Sequence, residues 1–143
     1  MKNYFYKGEK SFCYNLVPGK NNEVIKVPVT IDVTLEELAD LVVDIFECGS
    51  TYWCGLDNTT PEWDECPEEL PWSQWLFNIL LNDKKVILYD IENPEETYTL
   101  TKEKLLKGVS LAIKDYHFNF EDYDGGDADV VLQLALFDEV IFG

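Results

Sequence analysis

Thr34-Leu35-Glu36-Glu37-Leu38-Ala39-Asp40-Leu41-Val42-Val43-Asp44-Ile45-Phe46-Glu47-Cys48-Gly49 is the stretch that decides the fold class. Thr34 and Glu37 have capping-box spacing, in which hydroxyl and carboxylate each satisfy an orphan backbone donor at a helix start. Leu38, Leu41, Val42, Ile45 and Phe46 then recur at i, i+3, i+4, i+7 and i+8, one face of a helix. Gly49 supplies a left-handed stop. The pattern predicts a helix over residues 34–48 with one buried face.

Upstream, residues 23–33 alternate β-branched residues and read as a strand, with Pro28 confining it to an edge or a bulge. The aromatic, polar stretch from Tyr4 to Val17 ends in Pro18-Gly19-Lys20-Asn21-Asn22, so residues 1–22 suggest a hairpin arm or edge strand. Downstream, residues 55–71 hold six acids and three prolines and read as an exposed acidic loop. Trp72, Trp75, Leu76, Ile79 and Leu80 mark a second helix, apolar almost all round. Residues 85–91 and 97–100 flank a hairpin signal at Glu92-Asn93-Pro94-Glu95-Glu96. Thr101 caps a third helix to about Lys114. Asp127 or Asp129 caps a short helix over 130–137, and residues 139–142 close on a strand. These elements predict one α+β domain over residues 1–143, three or four helices on a small, largely antiparallel sheet.

Charge bounds the function. The chain has 11 lysines, no arginine and 28 acids, a net charge of −17. Residues 1–33 carry +2, whereas residues 34–143 hold six lysines against 25 acids, −19. Such a field repels nucleic acid and attracts basic surfaces, so direct binding of DNA or RNA is not expected. The N-terminus lacks an apolar signal region, and no apolar run approaches the ~20 residues that span a bilayer. The reading is therefore cytoplasmic. Cys13, Cys48, Cys54 and Cys66 show no CxxC spacing and read as reduced thiols, with no metal site and no cofactor.

Catalytic motifs are lacking: no HExxH, no nucleophile elbow, no phosphate-cradling glycine loop, and a single histidine, His117, in an aromatic setting. A non-enzymatic protein is expected. Asp122 to Asp129 offers calcium-type ligands, but position twelve from Asp122 is Gln133, which breaks the EF-hand pattern. Two binding constellations remain. In the loop, Trp63 is an anchor candidate, with Glu62, Asp64, Glu65, Glu68 and Glu69 as a rim that steers it to a basic protein. Alternatively, Tyr52 and Trp53 would stack a base while Lys102, Lys104 and Lys107 hold its phosphates. Tyr52-Trp53-Cys54 also has a core reading, Trp53 behind the first helix and Cys54 a buried thiol.

Residues 31–41 running into Ser50-Thr51-Tyr52-Trp53-Cys54, residues 88–108, and Asp127 through Gly143 together resemble a family of small acidic proteins encoded by phages and mobile elements of Firmicutes. This chain departs from the pattern at Cys48-Gly49-Ser50, where a Gly pair is usual, and in its long acidic insert. The family has no assigned activity, so the resemblance implies a setting rather than a site: an accessory gene product in a bacterial host cell. Joined to the charge, it suggests an anti-CRISPR-like, DNA-mimicking inhibitor of a host defence protein, whose partner is basic and nucleic-acid-binding. The alternative is a sponge for a cyclic or ADP-ribose-derived nucleotide signal. No membrane partner is expected, and a homo-oligomer is compatible with either reading.

Overall fold

The computed structural model describes residues 24–143. The chain divides into two units, Met1–Asp32 and Val33–Gly143. The hairpin arm expected over residues 1–22 lies outside the described residues. Residues 24–33 carry no regular secondary structure, so the strand read there is not formed. Alternation is a propensity that needs a paired neighbour to become a strand.

In the second unit, α1 (Leu35–Asp44) opens as its sequence implies. The Glu37 amide donates to Thr34 Oγ1 and the Thr34 amide to Glu37 Oε1, both at 3.0 Å. Leu41, Val42 and Ile45 are fully buried. The α-helix does not run to Cys48; it widens into a π-turn, Ile45–Gly49. Nor is Gly49 a left-handed stop, since Gly143 is the only described glycine with positive φ. Gly49 is needed for space instead: a Cβ there would lie 2.4 Å from the Gly125 carbonyl oxygen. The turn thereby presses its backbone onto the start of α4.

The sheet has the order β1-β2-β3 and is antiparallel throughout, formed by Cys54–Leu56, Val86–Asp90 and Thr97–Leu100. Leu56 faces Leu88, and Val86 faces Leu100. The short β1 occupies the beginning of what reads as loop, because three residues show no usable alternation. Beyond it, the Thr60 hydroxyl accepts from the Ile87 amide at 2.9 Å, and Trp75 Nε1 donates to the Glu62 carbonyl at 2.8 Å. The acidic segment is thus pinned at Thr60 and Glu62, and a 3-10 turn at Trp63–Glu65 follows directly.

α2 (Trp72–Leu81) packs on α1, and α3 (Lys102–Tyr116) packs on α4 (Gly125–Phe137). The α3–α4 approach depends on Gly108, whose added Cβ would meet the Val131 carbonyl oxygen at 2.5 Å. α4 starts earlier than the sequence suggests. Asp124 is its cap, its side chain accepting from the Asp127 amide at 2.9 Å, and Asp127 completes a capping box. Asp129 lies inside the helix and is buried. The expected terminal strand is absent: the Ile141 and Phe142 amides both donate to Gln133 Oε1 at 2.8 Å. A side chain takes the place of a strand partner. With four helices and three antiparallel strands among the described residues, the fold is α+β. No described helix is long and apolar enough to cross a membrane.

Candidate functional site

The Ser50–Cys54 signature closes around one carboxylate. Asp129 is 5% exposed, and no lysine pairs with it among the described residues. Its charge is met by four donors. Oδ1 accepts from Ser50 Oγ at 2.7 Å and from Trp53 Nε1 at 2.6 Å. Oδ2 accepts from Tyr52 Oη at 2.6 Å and from Gln133 Nε2 at 2.8 Å. Hydrogen bonds to an ionised acceptor are about twice as strong as neutral ones, which makes a buried carboxylate without a cation tenable. The Gln133 amide, using its other end for Ile141 and Phe142, ties the chain terminus to the same hub.

Trp53 is 3% exposed and stacks on Phe142 with ring centroids 4.4 Å apart; Phe137 and Tyr98 close its flanks. It is therefore a core residue, and its covered face offers no platform for a base. Tyr52 leaves 54% of its surface exposed while its hydroxyl turns inward. Burial of that hydroxyl, then the adjacent Asp129 carboxylate, pushes its pKa up to about 12. Burial first, and the charges of Asp129 and Asp90 second, push the Cys54 thiol up to about 12 as well. At neutral pH Cys54 is a protonated thiol, not the thiolate that nucleophilic chemistry requires.

The lysines of the nucleotide reading are engaged elsewhere. Lys102 pairs with Asp83 at 2.8 Å and Lys107 with Asp138 at 2.7 Å, while Lys104 Nζ donates to the Thr99 carbonyl at 2.8 Å. None shares a partner with Tyr52 or Trp53, so the structure does not assemble the five residues into one anion site. Among the described residues, no three His, Cys, Asp or Glu side chains converge as metal ligands.

In the acidic segment, Asp64, Glu65, Glu68 and Glu69 are exposed. Trp63 is half-buried, packed against the core and set edge-on to Trp72 with centroids 6.3 Å apart. It anchors its own loop as much as it faces outward. Glu62 is half-buried, and its Oε2 is buried without a hydrogen-bond partner.

The fold also assembles an acidic surface that no single segment shows. Tyr123 Oη donates to Asp44 Oδ2 at 2.6 Å across 79 positions of sequence, and the π-turn abuts Gly125. Burial and the Asp44 carboxylate together push the Tyr123 pKa up. These contacts draw the turn bearing Glu121, Asp122, Asp124 and Asp127 toward the helix bearing Glu36, Asp40 and Asp44. Sequence reading missed this juxtaposition, and it missed Asp129 and Gln133 as partners of the signature. One signal for the second was visible: an i, i+4 polar pair within the otherwise apolar residues 128–137. The chain matches no family model, no curated protein and no solved structure.

Proposed function

We propose that this is a non-enzymatic binding protein whose acidic surface occupies a basic, nucleic-acid-binding site on another protein. One observation carries the reading. Residues 34–143 have a net charge of −19, and only two of their carboxylates are in ion pairs among the described residues. Asp129 is the only acid among those residues that is buried; the others reach solvent. Internal pairing therefore leaves the field almost undiminished, and such a field raises encounter rates with cationic partners while repelling polyanions.

The resemblance to small acidic phage and mobile-element proteins supports a setting in a bacterial host, where the basic site belongs to a defence protein. The protein then acts as a mimic of DNA: carboxylates held on a folded scaffold stand where phosphates would lie. The test is a pull-down from Firmicutes lysate at low and high salt, followed by DNA competition on whatever is retained. A nucleic-acid-binding or defence protein is expected to be held at low salt, released at high salt and displaced by DNA. Retention of no such protein overturns the reading.

A further inference from the structure

Among the described residues, no strand pairs with the outer edge of β1. Hydrogen bonds from the Asp57 amide to the Ile87 carbonyl and from the Ile91 amide to the Trp53 carbonyl set the β1–β2 ladder. Antiparallel pairs alternate between bonded and non-bonded positions, so the backbone groups of Cys54 and Leu56 point away from β2. The Cys54 amide is taken by the Ser50 carbonyl at 3.1 Å. The Cys54 carbonyl and both backbone groups of Leu56 have no partner among the described residues.

A pocket of about 180 Å³ adjoins this strand. It is lined by all three β1 residues, by Ile45 and Phe46 of the π-turn, and by Trp72. Cys54 and Leu56 point to one face of the strand and Gly55 between them carries no side chain, so the cavity lies over that face, to which a strand added beside β1 would also turn every second side chain. A dry cavity of about 150 Å³ takes a benzene ring, so this one has room for a single apolar side chain. Trp72, one of its walls, is 40% exposed.

Charge identifies the occupant. Every wall belongs to residues 45–72, a stretch with seven acids and no lysine. Glu47 follows Phe46 and accepts from Ser73 Oγ at 2.9 Å, which holds it beside Trp72; Asp57 follows Leu56. We propose that this edge binds an extended segment of a basic protein, which adds a fourth strand through Leu56 and seats one aliphatic side chain in the pocket. Lysines or arginines at its alternate positions then face the surrounding carboxylates. Backbone pairing with an open edge gives affinity, and the pocket gives specificity. This rests on the acidic-surface reading and adds where, and in what conformation, the partner docks.

The probe is a fluorescein-labelled peptide of alternating Lys and Val, titrated by anisotropy at about 0.1 M salt. Its controls are a Lys/Ser peptide of equal charge and a Lys/Val peptide N-methylated at the central valine. The Lys/Val peptide should bind about tenfold more tightly than either control, and Trp72→Ala should erase most of that difference. N-methylation leaves the protein untouched, so the test survives if the Trp72 variant folds poorly. Equal binding of all three peptides overturns the edge site while leaving the acidic surface intact. No binding of any, even at about 0.02 M salt, overturns both.

Discussion

Replacing Asp129 with Asn removes one charge and almost no volume, and the hub predicts a large loss of stability. In the native protein four donors converge on two oxygens, and all four must find acceptors. An amide presents one oxygen and one NH2. If the NH2 takes the Oδ1 position, the Ser50 hydroxyl can rotate and accept, but the Trp53 indole N–H, 2.6 Å away, cannot reverse. If it takes the Oδ2 position, Tyr52 can rotate, but Gln133 Nε2 at 2.8 Å then faces another donor. Flipping the Gln133 amide would break its bonds to the Ile141 and Phe142 amides. The first orientation orphans the indole N–H in the core. The second sets two amide donors against each other, while Gln133 Nε2 keeps only its 3.3 Å bonds to the Phe142 carbonyl and Tyr52 Oη. Each costs about 1–3 kcal/mol, and the remaining bonds lose their ionic strengthening. Together these amount to about 3–5 kcal/mol, a fall of roughly 10–15 °C in Tm for a chain of this size. Urea unfolding followed by tryptophan fluorescence and far-ultraviolet dichroism measures it. A variant within about 1 kcal/mol of the parent refutes the reasoning, because the hub would then tolerate an unmatched donor.

Gly108→Ala should destabilise by about 1–3 kcal/mol despite alanine's better helix propensity, because its methyl would overlap the Val131 carbonyl. Gly126→Ala, whose Cβ would meet nothing closer than Asp124 Oδ1 at 3.2 Å, should be neutral or slightly stabilising in the same melt. Cys54 has its pKa raised from 9 to about 12, so its contribution is fully present below pH 9. Above that the unfolded chain loses the proton first, and stability should fall by about 1.4 kcal/mol per pH unit until pH 12, a slope that Cys54→Ala flattens in denaturant titrations. Tyr52, raised to about 12, should be among the last tyrosines to ionise in a 295 nm titration, and Asp129→Asn should bring it earlier. Neutralising Asp64, Glu65, Glu68 and Glu69 should leave Tm within about 2–3 °C yet slow association with a basic partner and flatten its salt dependence. Trp63→Ala, by contrast, should cost about 1–2 kcal/mol in chemical denaturation, since half of that ring is already committed to the core and to Trp72.

What the sequence determined alone was whatever rests on neighbours within about four residues. The capping box at Thr34, the apolar face through Ile45, the caps at Thr101 and the hairpin around Asn93-Pro94 were legible because donor, acceptor and turn residue lie within one or two turns of chain. Net charge was legible too, being a sum that folding does not alter. Local signals also misled where a distant partner overrode them. The α1 register gave way to a π-turn so that Gly49 could meet Gly125, residues 24–33 formed no ladder, and the terminal apolar residues bonded to Gln133 instead of to a strand. The tertiary structure alone decided that Asp129 faces Ser50, Tyr52 and Trp53, 76 to 79 positions away, and that Tyr123 joins the acidic turn to α1. It alone set a pocket against β1, whose outer edge no described strand pairs. A carboxylate in an acidic chain looks like every other until the fold surrounds it with donors, because its role depends on what burial removes and what geometry supplies.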